Sequence, residues 1–211
     1  MRARFAVVAS GQRCELREVV LRDKPPELAA ASAKATVPVL VLADGTVIDQ
    51  SIEIMRWALG RSDPWSWLAP QQGRLADLLA LVDDCEREFK PRLDRYKYPE
   101  RHPGGDPSAE RSAAAGFLLR LDALLRGQAS PRHAYLFGMR ASLADMAIAP
   151  FVRQFAQVAP AWFDAEPWPA LRDWLGTIVA SEAWQRSMDK HPRWKAGDTP
   201  LLFPPETRTD L

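Results

Sequence analysis

Four residues in one short stretch have the types and spacing to hold a small peptide: Val37, Pro38, Gln50 and Ser51. Pro38 opens the apolar run Val39 to Leu42, which reads as a strand. A cis Val37–Pro38 bond would turn the Val37 backbone outward, leaving its N–H and C=O to pair with an extended peptide. Asp44-Gly45 is a two-residue hairpin turn signal, because glycine accepts positive φ at no steric cost. A second strand, Val47-Ile48, leads to Gln50 and Ser51. Ser51 is expected to cap a helix running from Ile52 to Leu59, whose free N–H groups and dipole suit a carboxylate. Taken singly, a proline entering a strand marks an edge strand or a turn. The ordered set is far more specific than any one member.

Nucleophiles and metal ligands are scarce. Cys14 should lie at the far end of a first helix and Cys85 inside a later one, where a free thiol is usually a small core residue. Ser10 falls at a helix C-terminus, the wrong end of the dipole for an anionic nucleophile. None of these is assigned a catalytic role. His102, His133 and His191 are single and scattered, with no metal-ligand spacing. Asp83, Asp84, Glu86 and Glu88 interleave with Arg87, Lys90 and Arg92, as on a solvated helix face.

These residues must be positioned by a chain of 211 residues with a formal net charge of +1. The length allows one large domain or two small ones. The balanced charge gives no reason to expect nucleic acid or an acidic membrane as a partner. No apolar run is long enough for a membrane helix, and Phe5 to Ala9 is too short for a signal peptide core, so a cytoplasmic location is expected. Residues 2–10 should be helical and stopped by Gly11. Arg13 to Leu21 alternates imperfectly, and Glu18 to Leu21 tips it toward a strand; Lys24 to Glu27 breaks it, and a short helix covers Leu28 to Ala31. Beyond Gly73 the strand signals stop. Leu75, Leu78, Leu79, Val82, Cys85, Phe89, Leu93 and Tyr96 recur at helical spacing, with Pro91 set to kink the helix. A second helix spans residues 108–126, with Phe117, Leu118, Leu121, Leu124 and Leu125 inward. Ser142 and Asp145 form a capping box for a helix buried along Ala144, Ala147, Ile148, Phe151, Val152 and Phe155. Helices over 169–179 and 181–190 complete a bundle. The tail after Trp194 has no periodicity and is expected to be extended or disordered. The expected divisions are residues 1–61, a linker over 62–73, a helical domain over 74–195 and a tail over 196–211.

Thr36-Val-Pro-Val-Leu40, then Asp44-Gly45 and Asp49-Gln-Ser-Ile52, resembles the thioredoxin-like domain of glutathione S-transferases. The Ser142–Ile148 run is similar to the start of their central C-terminal helix. Leu16–Val19, Arg22–Pro25, Phe89–Pro91 and Asp94–Pro99 resemble a bacterial, omega-like branch of that family. The resemblance implies an α/β thioredoxin-like domain followed by an all-α bundle, pairing as a homodimer. It implies glutathione as cosubstrate. The Val37 backbone, after a cis Pro38, would pair with the cysteinyl backbone. Gln50 and Ser51 would hold the γ-glutamyl end, and Lys34 would reach the glycyl carboxylate. Gln50 stands where glutamate is usual. The second substrate would be a small electrophile or a disulfide, taken in the cleft between the domains. In that branch a first strand and a Cys-Pro segment precede a helix start like Met1-Arg-Ala-Arg4. The first strand and the nucleophile would therefore lie upstream of Met1 or have been lost. Two functions follow from the resemblance. One is glutathione conjugation or reduction of a mixed disulfide. The other is a non-catalytic binding or scaffolding protein of the same fold.

Overall fold

The computed structural model describes residues 1–128 and 134–205. His133 and residues 206–211 of the expected tail lie outside the described residues. The chain forms two compact units, Met1–Trp65 with Glu182–Leu211, and Ser66–Ser181.

The first unit is built around helix α1 (Arg2–Ser10). Alanine and arginine favour the helix, and Gly11 ends it in the left-handed region (φ 67°), its N–H donating to the Val8 carbonyl at 3.3 Å. Phe5, Ala6, Val7, Val8 and Ala9 are all buried, as in a helix covered on every side. One side meets α3 (Ser51–Arg61) through a face of Ile54, Met55, Ala58 and Leu59. Another meets α10 (Glu182–Ser187), where the Phe5 and Trp184 rings lie 5.3 Å apart.

Two short antiparallel ladders complete the unit among the described residues. In the first, β1 (Cys14–Glu15) pairs with β4 (Leu202–Phe203), Cys14 opposite Phe203 and Glu15 opposite Leu202. The tail after Trp194 is thus partly a strand. It is extended, as one of the two expectations had it, and its ordering comes from a distant partner. Residues from Glu182 onward group with the N-terminal unit, whereas the helical domain was expected to run to residue 195. The cause is apolar burial of Trp184 and Phe203, 2 % and 1 % exposed. The strand expected over Arg13 to Leu21 forms only at Cys14–Glu15, and beyond it Val20 makes an isolated antiparallel bridge to Asp23. The Glu18 carboxylate pairs with Arg4, its carbonyl accepts the Trp194 N–H at 2.9 Å, and the Val20 carbonyl accepts the Asp23 N–H at 2.9 Å, so the segment's hydrogen bonds go to the helix, the tail and a local turn.

In the second ladder β2 (Leu40–Val41) pairs with β3 (Val47–Ile48). The connecting turn is one residue longer than expected. Leu42 N–H donates to Thr46 O at 2.8 Å, and Gly45 N–H donates to Leu42 O at 3.0 Å, enclosing Ala43, Asp44 and Gly45. Gly45 takes the left-handed position (φ 85°), as in a three-residue hairpin loop. Between the ladders' strands, α2 (Pro26–Ala31) starts with proline at its first position, where no N–H is needed.

The second unit is helical. α4 (Leu75–Asp84) runs without a break through a π-helical turn (Cys85–Phe89) into α5 (Lys90–Lys97). The π turn answers the proline expected to kink this helix. Pro91 has no N–H to give, and its ring presses on the preceding turn, which widens so that Lys90 N–H reaches back to Cys85 O. The inward stripe is Leu78, Val82, Cys85, Phe89, Leu93 and Tyr96. After a 3₁₀ turn (Pro99–Arg101), α6 (Pro107–Arg126) is capped by Asp106, whose carboxylate accepts the Ser108 N–H at 2.8 Å. Its core residues are Phe117, Leu118, Leu121 and Leu125. Leu124, expected inward, is 41 % exposed, because it is rotated off that face. Then come α7 (Leu143–Ala156), α8 (Pro160–Ala165), which sequence periodicity missed because it is little more than one turn, and α9 (Pro169–Ala180). α7 is buried around most of its circumference and carries the expected capping box. Trp67, in the segment read as a linker, is buried in this unit, its carbonyl accepting the Leu143 N–H at 2.9 Å.

Candidate functional site

The site residues read from the sequence flank the β2–β3 hairpin, Val37 and Pro38 ahead of β2 and Gln50 and Ser51 after β3. The Val37–Pro38 peptide bond is cis. Val37 is 45 % exposed, and among the described residues its backbone N–H and C=O make no hydrogen bond, since the β2–β3 ladder starts only at Leu40. A free N–H and C=O on exposed backbone can take an extended peptide by strand addition.

Gln50 and Ser51 stand at the start of α3, with their positions exchanged relative to expectation. Gln50 is the N-cap residue, extended at φ −112° and ψ 127°, and its carbonyl accepts the Ile54 N–H at 3.0 Å. Ser51 is the first helical residue and does not cap. Its Oγ instead accepts a hydrogen bond from Arg2 Nη1 at 3.2 Å. The first-turn N–H groups of α3 thus receive no side-chain cap, which leaves the positive end of the helix dipole to an incoming anion.

Arg2 was not anticipated as a site residue. It lies in the first turn of α1, only 7 % exposed, and carries a positive charge to the hydroxyl at the start of α3. The available signal was an arginine among Ala3, Phe5 and Ala6, on a helix with few polar residues to turn outward. Asp49 and Ser32 were missed as well. Asp49 accepts from Lys34 Nζ at 2.8 Å and from Ser32 Oγ at 2.9 Å. These two bonds, the lysine's first, hold the Asp49 carboxyl below its ordinary range. The pair therefore contributes fully above the ordinary carboxylate range, and its contribution is lost as the pH falls from that range through the lowered value of the folded state. Lys34, expected to await a ligand carboxylate, is engaged by a carboxylate of its own chain.

Neither thiol is poised as a nucleophile. Cys14 is half-buried, its Sγ donating to Phe203 O at 3.5 Å, and burial pushes its pKa up against the opposing effect of Arg4. Cys85 is 1 % exposed within the π turn. Ser142 and Asp145 are folding residues, both buried. No group of three or more His, Cys, Asp or Glu side chains able to hold a metal occurs among the described residues.

The fold has solved relatives. The chain is similar to a glutathione transferase family member of Pseudomonas fluorescens pf-5 crystallised with two glutathione bound (17 % identity, TM-score 0.73, covering 88 % of this chain and 86 % of that one). It is similar to a glutathione transferase of Phanerochaete chrysosporium in complex with oxidized glutathione (18 %, 0.71, 88 % and 88 %). Gtt2 of Saccharomyces cerevisiae is a further neighbour (21 %, 0.67, 89 % and 94 %). At these identities the likeness is one of fold: a thioredoxin-like N-terminal domain with few strands, followed by a helical C-terminal domain. Among curated proteins none matches the chain. The family model for the glutathione S-transferase N-terminal domain matches residues 1–59, and that for the C-terminal domain matches residues 66–177. With both domain types matched in order over most of its length, the chain belongs to the glutathione S-transferase family.

Proposed function

We propose that the protein binds glutathione at the Val37–Pro38 and Gln50–Ser51 edge and transfers it to a small electrophile, or uses it to reduce a mixed disulfide. The observation that carries this reading is the pairing of an unbonded, exposed Val37 backbone with an uncapped α3 start whose Ser51 Oγ bonds Arg2. A peptide backbone laid on Val37 and a carboxylate at Ser51 would meet complementary partners at both ends. A glycyl carboxylate would share Lys34 with Asp49. Glutathione bound in family members of the same fold supports the reading.

A second reading, glutathione binding without catalysis, is favoured by the state of Cys14 and Cys85, the first with its thiol pKa raised by burial and the second sealed in a helix. The omega-like branch, and a Cys-Pro segment encoded ahead of Met1, belong to the first reading and rest on the resemblance of the Met1–Arg4 and Arg22–Pro25 runs. The coding DNA ahead of Met1 tests them. A cytoplasmic homodimer completes the proposal, with the mass in solution as its check.

Calorimetric titration with glutathione tests the binding half. Ser51→Ala removes one polar contact and should weaken binding about five- to tenfold, as for a neutral hydrogen bond of about 1 kcal/mol. Gln50→Glu should tighten it by a similar factor, because a carboxylate makes a charge-assisted bond to the γ-glutamyl ammonium. No binding by the unaltered chain would end both readings. Binding without turnover of chlorodinitrobenzene or a glutathione mixed disulfide would leave the second.

A further inference from the structure

The lysine assigned to the glycyl end of glutathione is already neutralised within the chain. Lys34 stands at the corner of a tight turn, Ser32 to Ala35, closed by the Ala35 N–H donating to Ser32 O at 2.8 Å. Asp49, next to Gln50, engages that turn twice. Its Oδ1 accepts from Lys34 Nζ at 2.8 Å and its Oδ2 from Ser32 Oγ at 2.9 Å. Both carboxylate oxygens are thus taken, and Ser32, itself 7 % exposed, anchors one of them. The lysine bond first and the serine bond second hold the Asp49 carboxyl low, so it is ionised at neutral pH. One positive and one negative charge therefore stand 2.8 Å apart at this end of the edge.

The strand register decides which end of a bound peptide meets that pair. Leu40 lies opposite Ile48 in the β2–β3 ladder, and continuing the register sets Gln50 across from Pro38. A peptide paired antiparallel with Val37, its γ-glutamyl end toward Gln50 and Ser51, runs back past Thr36 toward Lys34. Its C-terminal group arrives beside the Lys34 ammonium with the Asp49 carboxylate directly behind. A carboxylate arriving there is attracted by one charge and repelled by the other at similar range, and in an exposed setting the two largely offset. An amide arriving there meets neither attraction nor repulsion. Ala33, Lys34 and Thr36 are exposed, so the turn itself puts no wall across the ligand's end.

We propose, on the footing of the glutathione reading, that the Lys34–Asp49 pair makes this edge indifferent to a free C-terminal carboxylate, so that it takes γ-glutamylcysteinylglycine peptides masked as an amide as readily as glutathione. Asp49 is then the residue that sets specificity at this end. The full chain is titrated by calorimetry with reduced glutathione and with its glycinamide analogue, at neutral pH and fixed ionic strength. Each variant is read by the ratio of its two affinities, which a loss of folded protein leaves unchanged. The unaltered chain should bind the two peptides within about twofold of each other. Asp49→Asn keeps an acceptor for Ser32 and removes the charge that offsets Lys34, and should turn the ratio about fivefold toward the acid. Lys34→Met leaves Asp49 facing the ligand and should turn it about threefold toward the amide. Both substitutions together should restore near-equal binding. A preference of about fivefold for the acid in the unaltered chain, or a ratio that neither substitution moves, overturns the proposal and leaves glutathione binding standing. Failure to bind either peptide overturns it together with the glutathione reading.

Discussion

Replacing Asp145 by alanine is expected to cost the helical unit about 3–5 kcal/mol, among the largest effects of any polar substitution in the protein. Asp145 is fully buried and accepts hydrogen bonds from four donors. Oδ2 takes the Ser142 N–H at 2.8 Å and the Ser142 hydroxyl at 2.6 Å. Oδ1 takes the Leu136 N–H at 2.9 Å and the Trp174 indole N–H at 2.8 Å. One carboxylate therefore closes the capping box of α7, pins the connection before it, and ties α9 to α7. Burial pushes its pKa up, while the donors pull the other way. Alanine leaves those donors in a site with no room for bulk water, and each unsatisfied group costs about 1–3 kcal/mol before relaxation. Asp145→Asn separates the contributions. Its amide oxygen can serve Leu136 and Trp174, and its NH2 can donate to the Ser142 hydroxyl, so only the Ser142 N–H meets a donor. It should lose roughly half as much. Urea unfolding followed by far-ultraviolet circular dichroism and by tryptophan fluorescence reads both variants. A loss under about 1 kcal/mol for the alanine variant would show that the network does not hold α7 in place.

Asp145 also shows how far local pattern reaches. Its bond to Ser142, three residues away, follows from helix-capping chemistry and is legible in the sequence. Its bond to Trp174, 29 residues on, is not, because nothing local specifies which indole will meet it. The same division runs through the candidate site. Val37, Pro38, Gln50 and Ser51 occupy one hairpin and one helix start, so short-range turn and helix signals sufficed to place them together. Arg2 reaches Ser51 across 49 residues, and Lys34 meets Asp49 across 15, and neither pairing has a periodic signature. The strand expected over Arg13 to Leu21 falls short for the same reason. The β-branched Val19 and Val20 favour an extended chain, but the tail strand Leu202–Phe203 reaches only Cys14 and Glu15. At Pro91 the sequence marks a disturbance in the helix, and only packing decides that it is absorbed by a π turn.

Phe203→Ala is the second large effect, and it tests whether the tail is part of the first unit's core. Phe203 is 1 % exposed and packs with Val7 and Val8 of α1, with Cys14 and Leu16 beside them and Trp65 at the margin. The His191 ring stands edge-on to it at 5.8 Å, and the Arg4 guanidinium lies 5.6 Å from its centre. Truncating a buried phenylalanine costs about 3–5 kcal/mol where neighbours cannot collapse into the space. Here the polar contacts of the strap cannot compensate. The β1–β4 ladder is only two residues long, and its extension, Leu16 N–H to Leu201 O at 2.7 Å, depends on the ring to keep the tail in register. The expected result is a loss of that size in the first unit, with amide exchange at Leu16 rising by at least an order of magnitude. Leu202→Ala is the control: its side chain alternates to the outer face, 48 % exposed, and should cost under about 0.5 kcal/mol. The consequence reaches the proposed glutathione edge. Val7 and Val8 belong to the same helix as Arg2, and Arg2 holds Ser51, so loosening α1 from its far side should weaken glutathione retention by Phe203→Ala and leave Leu202→Ala unaffected. Equal stability of the two variants would mean that the tail lies on the unit without helping to hold it together.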